Sequence, residues 1–274
     1  MISWRTRLNA LPVDLGLKHY YPMEGTKHGR ATVDLTKAEG WDQVRAEDGP
    51  LFIPENRAQW QRMCDEPVFH DSNGGDLLAR AGTILDTLRR HGLTQELYSL
   101  GVGLAALEFH IKRLYPDIKL FCSDYGEETT RRLRGLFVES DGISQFDLNT
   151  QRFRDVYPSA GPDAVVLIHR VDPHLSDNEW RRAFAALAAD GIRHLFFVPH
   201  RVLTLRYLVE SKERDVLHRL KGTPLALSGY VRTLRRWGRL WGEDYLLMET
   251  MEVGYARGFW LQARKVASHS PGGS

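Results

Sequence analysis

The sequence predicts an α/β fold: a doubly wound, mostly parallel seven-stranded sheet with an antiparallel C-terminal hairpin strand and an irregular N-terminal cap. Two observations carry this prediction. From residue 76 onward, strand-like apolar runs alternate with helical patterns, which is typical of parallel strands joined by crossover helices. The chain then closes with two strand-like runs joined by a short glycine-containing turn, which predicts a hairpin. A chain of 274 residues is long enough to bury the core of such a fold.

The alternating part begins with an amphipathic helix over 76–90, with Asp76 as its N-cap and Gly92 beyond its end. Further helical patterns are interleaved with strands. The predicted strands are 96–100, 119–123, about 143–147, 164–168 and 194–198, and the interleaved helices are 104–114, 127–138 and 178–189. Two more helices are expected over 204–220 and 229–241, followed by hairpin strands over 245–253 and 258–264.

The chain divides into three segments by composition. Residues 1–75 hold scattered prolines and glycines, little periodicity and many aromatic side chains, which need a surface to bury against. This segment is expected to pack on the sheet as an extension, to cap a ligand site and line a substrate pocket, or to do both. Residues 76–266 form the sheet domain, and 267–274 are expected to be a disordered tail.

Composition excludes several classes of protein. The net charge of +2 gives no field that favours nucleic acid, and no apolar run is long enough to span a bilayer. The first residues lack the apolar core of a signal peptide. Two cysteines are too few for a disulfide framework, and nothing has the ligand spacing of a metal site. We therefore expect a cytoplasmic protein with no metal and no membrane partner.

The most informative motif is a glycine turn. The segment 97–106 reads LYSLGVGLAA, so a strand ends in two closely spaced glycines before a helix begins, and the next strand ends in Asp124. Glycines let the backbone approach a ligand, and the acid accepts hydrogen bonds from ribose hydroxyls, which predicts an adenosine-type cofactor. Residues 101–106 also fit the G-x-G-x-x-A fingerprint, so an NAD(P)-dependent oxidoreductase stays open as an alternative.

The wider context resembles the class I S-adenosylmethionine (SAM)-dependent methyltransferases over residues 76–265. Four landmarks occur in that family's order. They are the SLGVGLA turn at 99–105, Asp124 after the second strand, Asp147 in QFDL after the third strand, and RVDPHLSD at 170–177 after the fourth. The terminal hairpin also agrees with the family's arrangement.

The resemblance implies SAM as the cofactor and methyl transfer to a small-molecule acceptor as the activity. Asp124 would bind the ribose hydroxyls, and Asp147 would bind the adenine amino group. The residues expected to bind the cofactor are Ser99, Leu100, Gly101, Gly103, Asp124, Tyr125, Asp147, Leu148 and Arg170.

Two positions depart from the family pattern. Ser99 stands where the family usually has an acid that helps to hold the methionine end, and Arg170 stands where Asp or Asn is usual. A serine still forms hydrogen bonds, and an arginine can grip a carboxylate of cofactor or substrate. A non-catalytic binding module on the same scaffold is therefore a third hypothesis.

Histidines are the candidate catalytic bases, because their pKa lies near neutrality. His169 ends the fourth strand of the alternating part, and His174 occupies a frequent histidine position of the family, where it could equally brace the loop that starts the next helix. His200, after the next strand, is a third candidate. The arginine-rich segment 232–241 contains the ingredients of a nucleic-acid surface, but its helical spacing favours an amphipathic helix packed on the sheet.

Overall fold

A computed structural model of the protein describes residues 16–20, 53–65, 77–172, 175–207, 209, 228–254 and 256–264. The expected Asp76 cap, most of the expected helix over 204–220 and the expected disordered tail lie outside these residues. The strands are β1 (Gly16–Tyr20), β2 (Glu96–Leu100), β3 (Lys119–Asp124), β4 (Gly142–Gln145), β5 (Val165–His169), β6 (His194–Val198), β7 (Ser228–Arg232), β8 (Tyr245–Val253) and β9 (Ala256–Ala263). The helices are α1 (Arg57–Asp65), α2 (Leu77–Arg90), α3 (Ala106–Leu114), α4 (Glu127–Leu136), α5 (Phe153–Val156), α6 (Asp177–Ala189) and α7 (Leu234–Trp241).

Seven of these strands form one sheet in the order β4-β3-β2-β5-β6-β9-β8. Neighbours from β4 to β6 pair in parallel, whereas β9 pairs antiparallel with both β6 and β8. The predicted fold class is therefore confirmed, including the antiparallel hairpin. The strand order reverses between β2 and β5, and in open α/β sheets ligands bind beside such a reversal.

The sheet is covered on both faces, as a doubly wound fold requires. Alternation along β5 shows the division: Val165 and Leu167 belong to one apolar core, and Val166 and Ile168 belong to the other. Apolar side chains of α2, α3 and α4 complete the first core, and those of α5, α6 and α7 complete the second.

The expected helix over 229–241 is wrong in its first third. Ser228–Arg232 is strand β7, which pairs antiparallel with β1 from the N-terminal segment, and the helix starts only at Leu234. Thr233 marks the boundary, because its hydroxyl accepts the backbone N–H of Arg236 as an N-cap. The amphipathic packing itself is confirmed: α7 buries Trp237, Leu240 and Trp241.

The described helix of the N-terminal segment packs beside the glycine turn. Trp60 and Cys64 of α1 are completely buried in the first core, and the indole Nε1 of Trp60 donates to the carbonyl oxygen of Leu104 at 2.9 Å. Arg132 of α4 donates to the carbonyl of Ile53 at 2.7 Å. These contacts attach the segment 53–65 to the part of the sheet domain that carries the turn.

Candidate functional site

The candidate site lies at the carboxyl ends of the parallel strands. Strand register brings Leu100 of β2 beside Ser123 of β3, and Asp124 beside Gln145 of β4. His169 ends β5 beside Val198 of β6. Because the strands are parallel and in this register, the segments that follow them meet at one edge of the sheet.

The glycine turn leaves β2 through backbone conformations that favour glycine. Gly101 has φ 73° and Gly103 has φ 56°, both in the left-handed region. The amides of Gly101 and Val102 both donate to the carbonyl of Ser123, at 2.7 and 3.0 Å. The turn is therefore held to β3, and Gly101 to Leu104 remain partly exposed at the edge of the sheet.

Asp124 ties two loops together. Its carboxylate accepts the N–H of Gly103 in the glycine turn at 3.0 Å and the N–H of Gly126 in the next loop at 3.1 Å. The residue is only 1% exposed. These two bonds fix the carboxylate between the glycine turn and the loop after β3.

A second acid lies under the same turn. The hydroxyl of Ser99 donates to Oε1 of Glu108 at 2.6 Å, and both residues are buried. Glu108 belongs to the first turn of α3, the helix that follows the glycine turn. Its burial raises its pKa to about 7, and the nearby charge of Asp124 acts in the same direction.

The loop after β4 is organised by its own aspartate. Oδ1 of Asp147 accepts the backbone N–H of Asn149 at 2.9 Å, and Oδ2 accepts the hydroxyl of Thr150 at 2.8 Å. Both Asp147 and Leu148 are partly buried. Tyr125 is also partly buried and is connected to β4, because its carbonyl accepts the amide of Gln145 at 2.9 Å.

The loop after β5 carries a strained arginine. Arg170 has φ 64°, a left-handed conformation that is uncommon for a residue with a long side chain. Its guanidinium faces Nδ1 of His200, with Nε at 3.0 Å and a terminal nitrogen at 2.6 Å. Because Nδ1 accepts these bonds, the neutral ring of His200 carries its proton on Nε2.

Two more titratable groups flank Arg170. Burial and the charges of Arg170 and Arg80 lower the pKa of His169 well below its usual value, and its Nε2 has no hydrogen-bond partner among the described residues. Burial raises the pKa of Asp172 to about 7. One oxygen of Asp172 accepts the backbone N–H of His200, whereas Oδ2 has no partner within the described chain.

The β5 loop lies directly against the glycine turn. A Cβ atom added to Gly101 would come within 2.4 Å of Cγ2 of Val171. Behind this contact, the buried guanidinium of Arg232 donates to the carboxylate of Asp177 at 2.6 Å and to the carbonyls of Asp172 and Leu175. Strand β7 therefore holds the loop that faces the turn.

The structure thus gathers most of the residues that the sequence singled out. Ser99 to Gly103, Asp124 and Tyr125, Asp147 and Leu148, and His169 and Arg170 lie at or next to the carboxyl ends of four adjacent strands. His174 lies outside the described residues. Sequence reasoning missed Glu108 as a functional candidate. Its only signal was an acid in the first helical turn after the glycines, and its contact with Ser99 depends on the fold.

The described residues contain neither a candidate metal site nor a candidate membrane-spanning helix. In the described ranges, no three His, Cys, Asp or Glu side chains cluster closely enough to hold a metal ion. None of the described helices is both long and apolar enough to cross a membrane.

The sequence matches no protein-family model and no curated protein. Its structure is similar to that of the mitomycin 7-O-methyltransferase MmcR, with 15% identity and a TM-score of 0.54 over 81% of this chain and 60% of that protein. Two other similar structures are magnesium protoporphyrin IX methyltransferase ChlM from Synechocystis PCC 6803 (14% identity, TM-score 0.48, 68% of this chain and 82% of that one) and the N-methyltransferase NodS from Bradyrhizobium japonicum WM9 (12%, 0.48, 83% and 98%).

The similarity to MmcR and the strand order point to the same architecture. The parallel strands β2 to β6, the glycine turn after β2 and the antiparallel pairing of β9 with β6 and β8 make up this architecture. The chain has the fold of the class I SAM-dependent methyltransferases.

Proposed function

We propose that this protein is an enzyme that transfers a methyl group from SAM to a small-molecule acceptor. The observation that carries the proposal is the glycine turn itself. Its backbone leaves β2 at the carboxyl edge of the sheet and is bonded, through Gly103, to the acid that ends β3. This is the arrangement that binds the ribose of an adenosine cofactor.

The residues present fit SAM. Gly101 to Leu104 offer partly exposed backbone for the ribose and methionine portions. The carboxylate of Asp124, at the end of β3 and bonded to the glycine turn, would accept the ribose hydroxyls. Tyr125, Asp147 and Leu148 lie along the neighbouring strand ends, where they would contact the adenine ring.

When bound, SAM supplies a methyl group that its sulfonium already activates. The protein then has to align the acceptor, exclude water and, for a hydroxyl or ammonium acceptor, remove a proton. These tasks fall to the loop 169–172 and to His200, because Val171 of that loop packs on the glycine turn.

The three titratable groups of this region have different capacities. His200 offers Nε2–H as a donor, because Arg170 occupies its other ring nitrogen. His169 stays neutral near pH 7 because its pKa is lowered, and its buried Nε2 has no hydrogen-bond partner among the described residues. Asp172, with a pKa of about 7, is suited to accept a proton near neutrality. We propose that His169 borders the methyl-transfer position and that His174 is a second catalytic residue.

The nature of the acceptor rests on composition. The N-terminal segment is rich in aromatic residues, and its helix α1 reaches the glycine turn through Trp60 and Leu104. Aromatic walls favour a compact organic acceptor, and the near-neutral net charge gives no support to a nucleic-acid acceptor. A cytoplasmic location remains part of the proposal, with Cys64 and Cys122 both buried as thiols.

The experiment that tests this function is calorimetric titration of the purified protein with SAM, with its demethylated product S-adenosylhomocysteine (SAH), and with NAD(H) and NADP(H). We expect micromolar binding of SAM and SAH. Asp124→Asn should weaken both at least tenfold, because the neutral amide replaces an acceptor of the ribose hydroxyls and of the Gly103 N–H.

The matched control is Asp86→Asn, which makes the same chemical change at an exposed acid of α2 and should leave SAM affinity unchanged. Binding of a nicotinamide cofactor without SAM would reject the methyltransferase in favour of the oxidoreductase that the G-x-G-x-x-A fingerprint allows. Binding of SAM with no turnover across a broad acceptor screen would favour the non-catalytic module.

A further inference from the structure

The pair Ser99–Glu108 has no role in the site as described so far. Glu108 projects from α3 to the end of β2, and its contact with the Ser99 hydroxyl bridges the strand and the helix that the glycine turn connects. Both residues are 2% exposed or less. A buried carboxylate is costly unless its charge serves a partner, so its position under the turn calls for a function.

The charge that acts on the Glu108 carboxyl is that of Asp124, which is also negative. Burial is the main cause that raises the pKa of the thiols of Cys64 in α1 and Cys122 in β3, and the charge of Glu108 contributes to both shifts. The floor of the turn is therefore anionic, with Asp124 bonded to Gly103 on one side and Glu108 bonded to Ser99 on the other.

This charge opposes the usual preference of a glycine turn. In dinucleotide-binding proteins the positive N-terminal end of the following helix attracts a pyrophosphate. Here an acid occupies the first turn of that helix, so its negative charge offsets the helix dipole where the phosphates would lie. SAM carries a sulfonium and an ammonium, whereas NAD and NADP carry phosphates.

We propose that Glu108 is a specificity-determining residue, held by Ser99 under the glycine turn, that favours a cationic cofactor over SAH and over pyrophosphate cofactors. The inference rests on the proposed function and deepens it. Glu108 acts through the turn as a positioning charge. It also places an acid next to position 99, where the resemblance expects one and the chain has serine.

The decisive variant is Glu108→Gln, which keeps the shape and an oxygen that accepts from Ser99 but removes the charge. At pH 8, where Glu108 is mostly ionised, we expect SAM to bind about tenfold more weakly, equal to about 1.4 kcal/mol. SAH lacks the sulfonium charge, so its affinity should fall about threefold or less. Titration calorimetry with SAM, SAH and NAD on each variant provides these ratios.

Three control variants separate charge from shape. Ser99→Ala keeps the charge and removes only the hydroxyl that holds it, so it should weaken SAM binding less than Glu108→Gln does. Glu249→Gln removes an acid on β8, four strands away from β2, and should change nothing. The exchange variant Ser99→Asp with Glu108→Ser moves the acid to the strand and should recover SAM affinity to within threefold of the native protein. Circular dichroism and thermal unfolding establish that each variant is folded.

The outcomes separate failure of the proposal for Glu108 from failure of the methyltransferase proposal on which it rests. If the native protein binds SAM and Glu108→Gln binds it equally well, the inference is overturned and the methyltransferase proposal stands. An equal loss of SAM and SAH affinity would assign Glu108 to shaping the turn, and would also overturn it. If the native protein binds no SAM, both proposals fail together.

Discussion

Replacement of Arg232 should destabilise the protein, because its buried guanidinium holds the loop after β5. Its guanidinium is completely buried and donates to the carboxylate of Asp177 at 2.6 Å and to the carbonyls of Asp172 and Leu175. Arg232→Met keeps much of the volume of the side chain but removes every one of these donors.

The magnitude follows from what is left behind. The Leu175 carbonyl loses its described donor, and an unsatisfied buried acceptor costs about 1–3 kcal/mol. The Asp172 carbonyl retains the indole of Trp180, so it contributes little. Asp177 is about a fifth exposed and keeps Arg236 as a partner, so breaking its pair with Arg232 costs less than the roughly 3–5 kcal/mol of a fully buried pair. Together with the unsatisfied Leu175 carbonyl, this should lower the free energy of unfolding by about 2–4 kcal/mol.

Urea unfolding followed by circular dichroism measures this loss, and the chain provides a matched control. Arg236 binds the same carboxylate of Asp177 but is about a third exposed, so Arg236→Met should cost less than about 1 kcal/mol. Equal losses in the two variants would refute the reasoning, because burial would then not decide the strength of the pair.

Three other predictions concern the site and its surroundings. Burial raises the pKa of Glu108 from 4.5 to about 7, so its neutral form stabilises the fold below about pH 4.5, and this contribution is lost as the pH rises through 7. At pH 8 the free energy of unfolding of Glu108→Gln should therefore exceed that of the native protein by on the order of 3 kcal/mol, and the difference should close in acid. Urea titrations at several pH values would show this. Gly101→Ala should lower the free energy of unfolding by roughly 2–5 kcal/mol, because residue 101 has a positive φ and the new Cβ would collide with Val171. Adding Val171→Ala should restore only the part of the stability that is lost to the collision. Full recovery in the double variant would contradict the strain at Gly101. Trp60→Phe should lower the free energy of unfolding by about 1–2 kcal/mol, because the bond to Leu104 is lost, and Trp60→Ala by about 3–5 kcal/mol, because the ring is lost as well. A Trp60→Phe variant as stable as the native protein in thermal unfolding would mean that this bond contributes nothing.

Local pattern was sufficient for most of the sheet domain. The sequence predicts the strands 96–100 and 194–198 with the bounds that the structure has, because buried parallel strands are continuous apolar runs between polar turns. The hairpin is predictable from the short connection between its strands, because two strand-like runs separated by a turn at Gly254 leave too few residues for a crossover helix.

Pairing between distant segments was beyond such reasoning. Ser228–Arg232 forms a strand because Gly16–Tyr20 pairs with it, and the residues 228–232 alone do not predict a partner strand about two hundred residues away. The short segment SGYVR, with one tyrosine and one arginine, then resembles the start of the amphipathic helix that follows it. Tertiary pairing overrode the local pattern.

The sequence by itself determined the glycine turn, the acid at the end of the next strand and the alternation that places both at one edge of a parallel sheet. These features follow from steric rules and side-chain periodicity, which act over a few residues. Only the tertiary structure decided that Glu108 meets Ser99, that Asp172 and Arg170 both meet His200, and that Arg232 anchors the β5 loop. Those contacts join residues from different elements, and the electrostatics of the site depend on burial and distance, which exist only once the chain has folded.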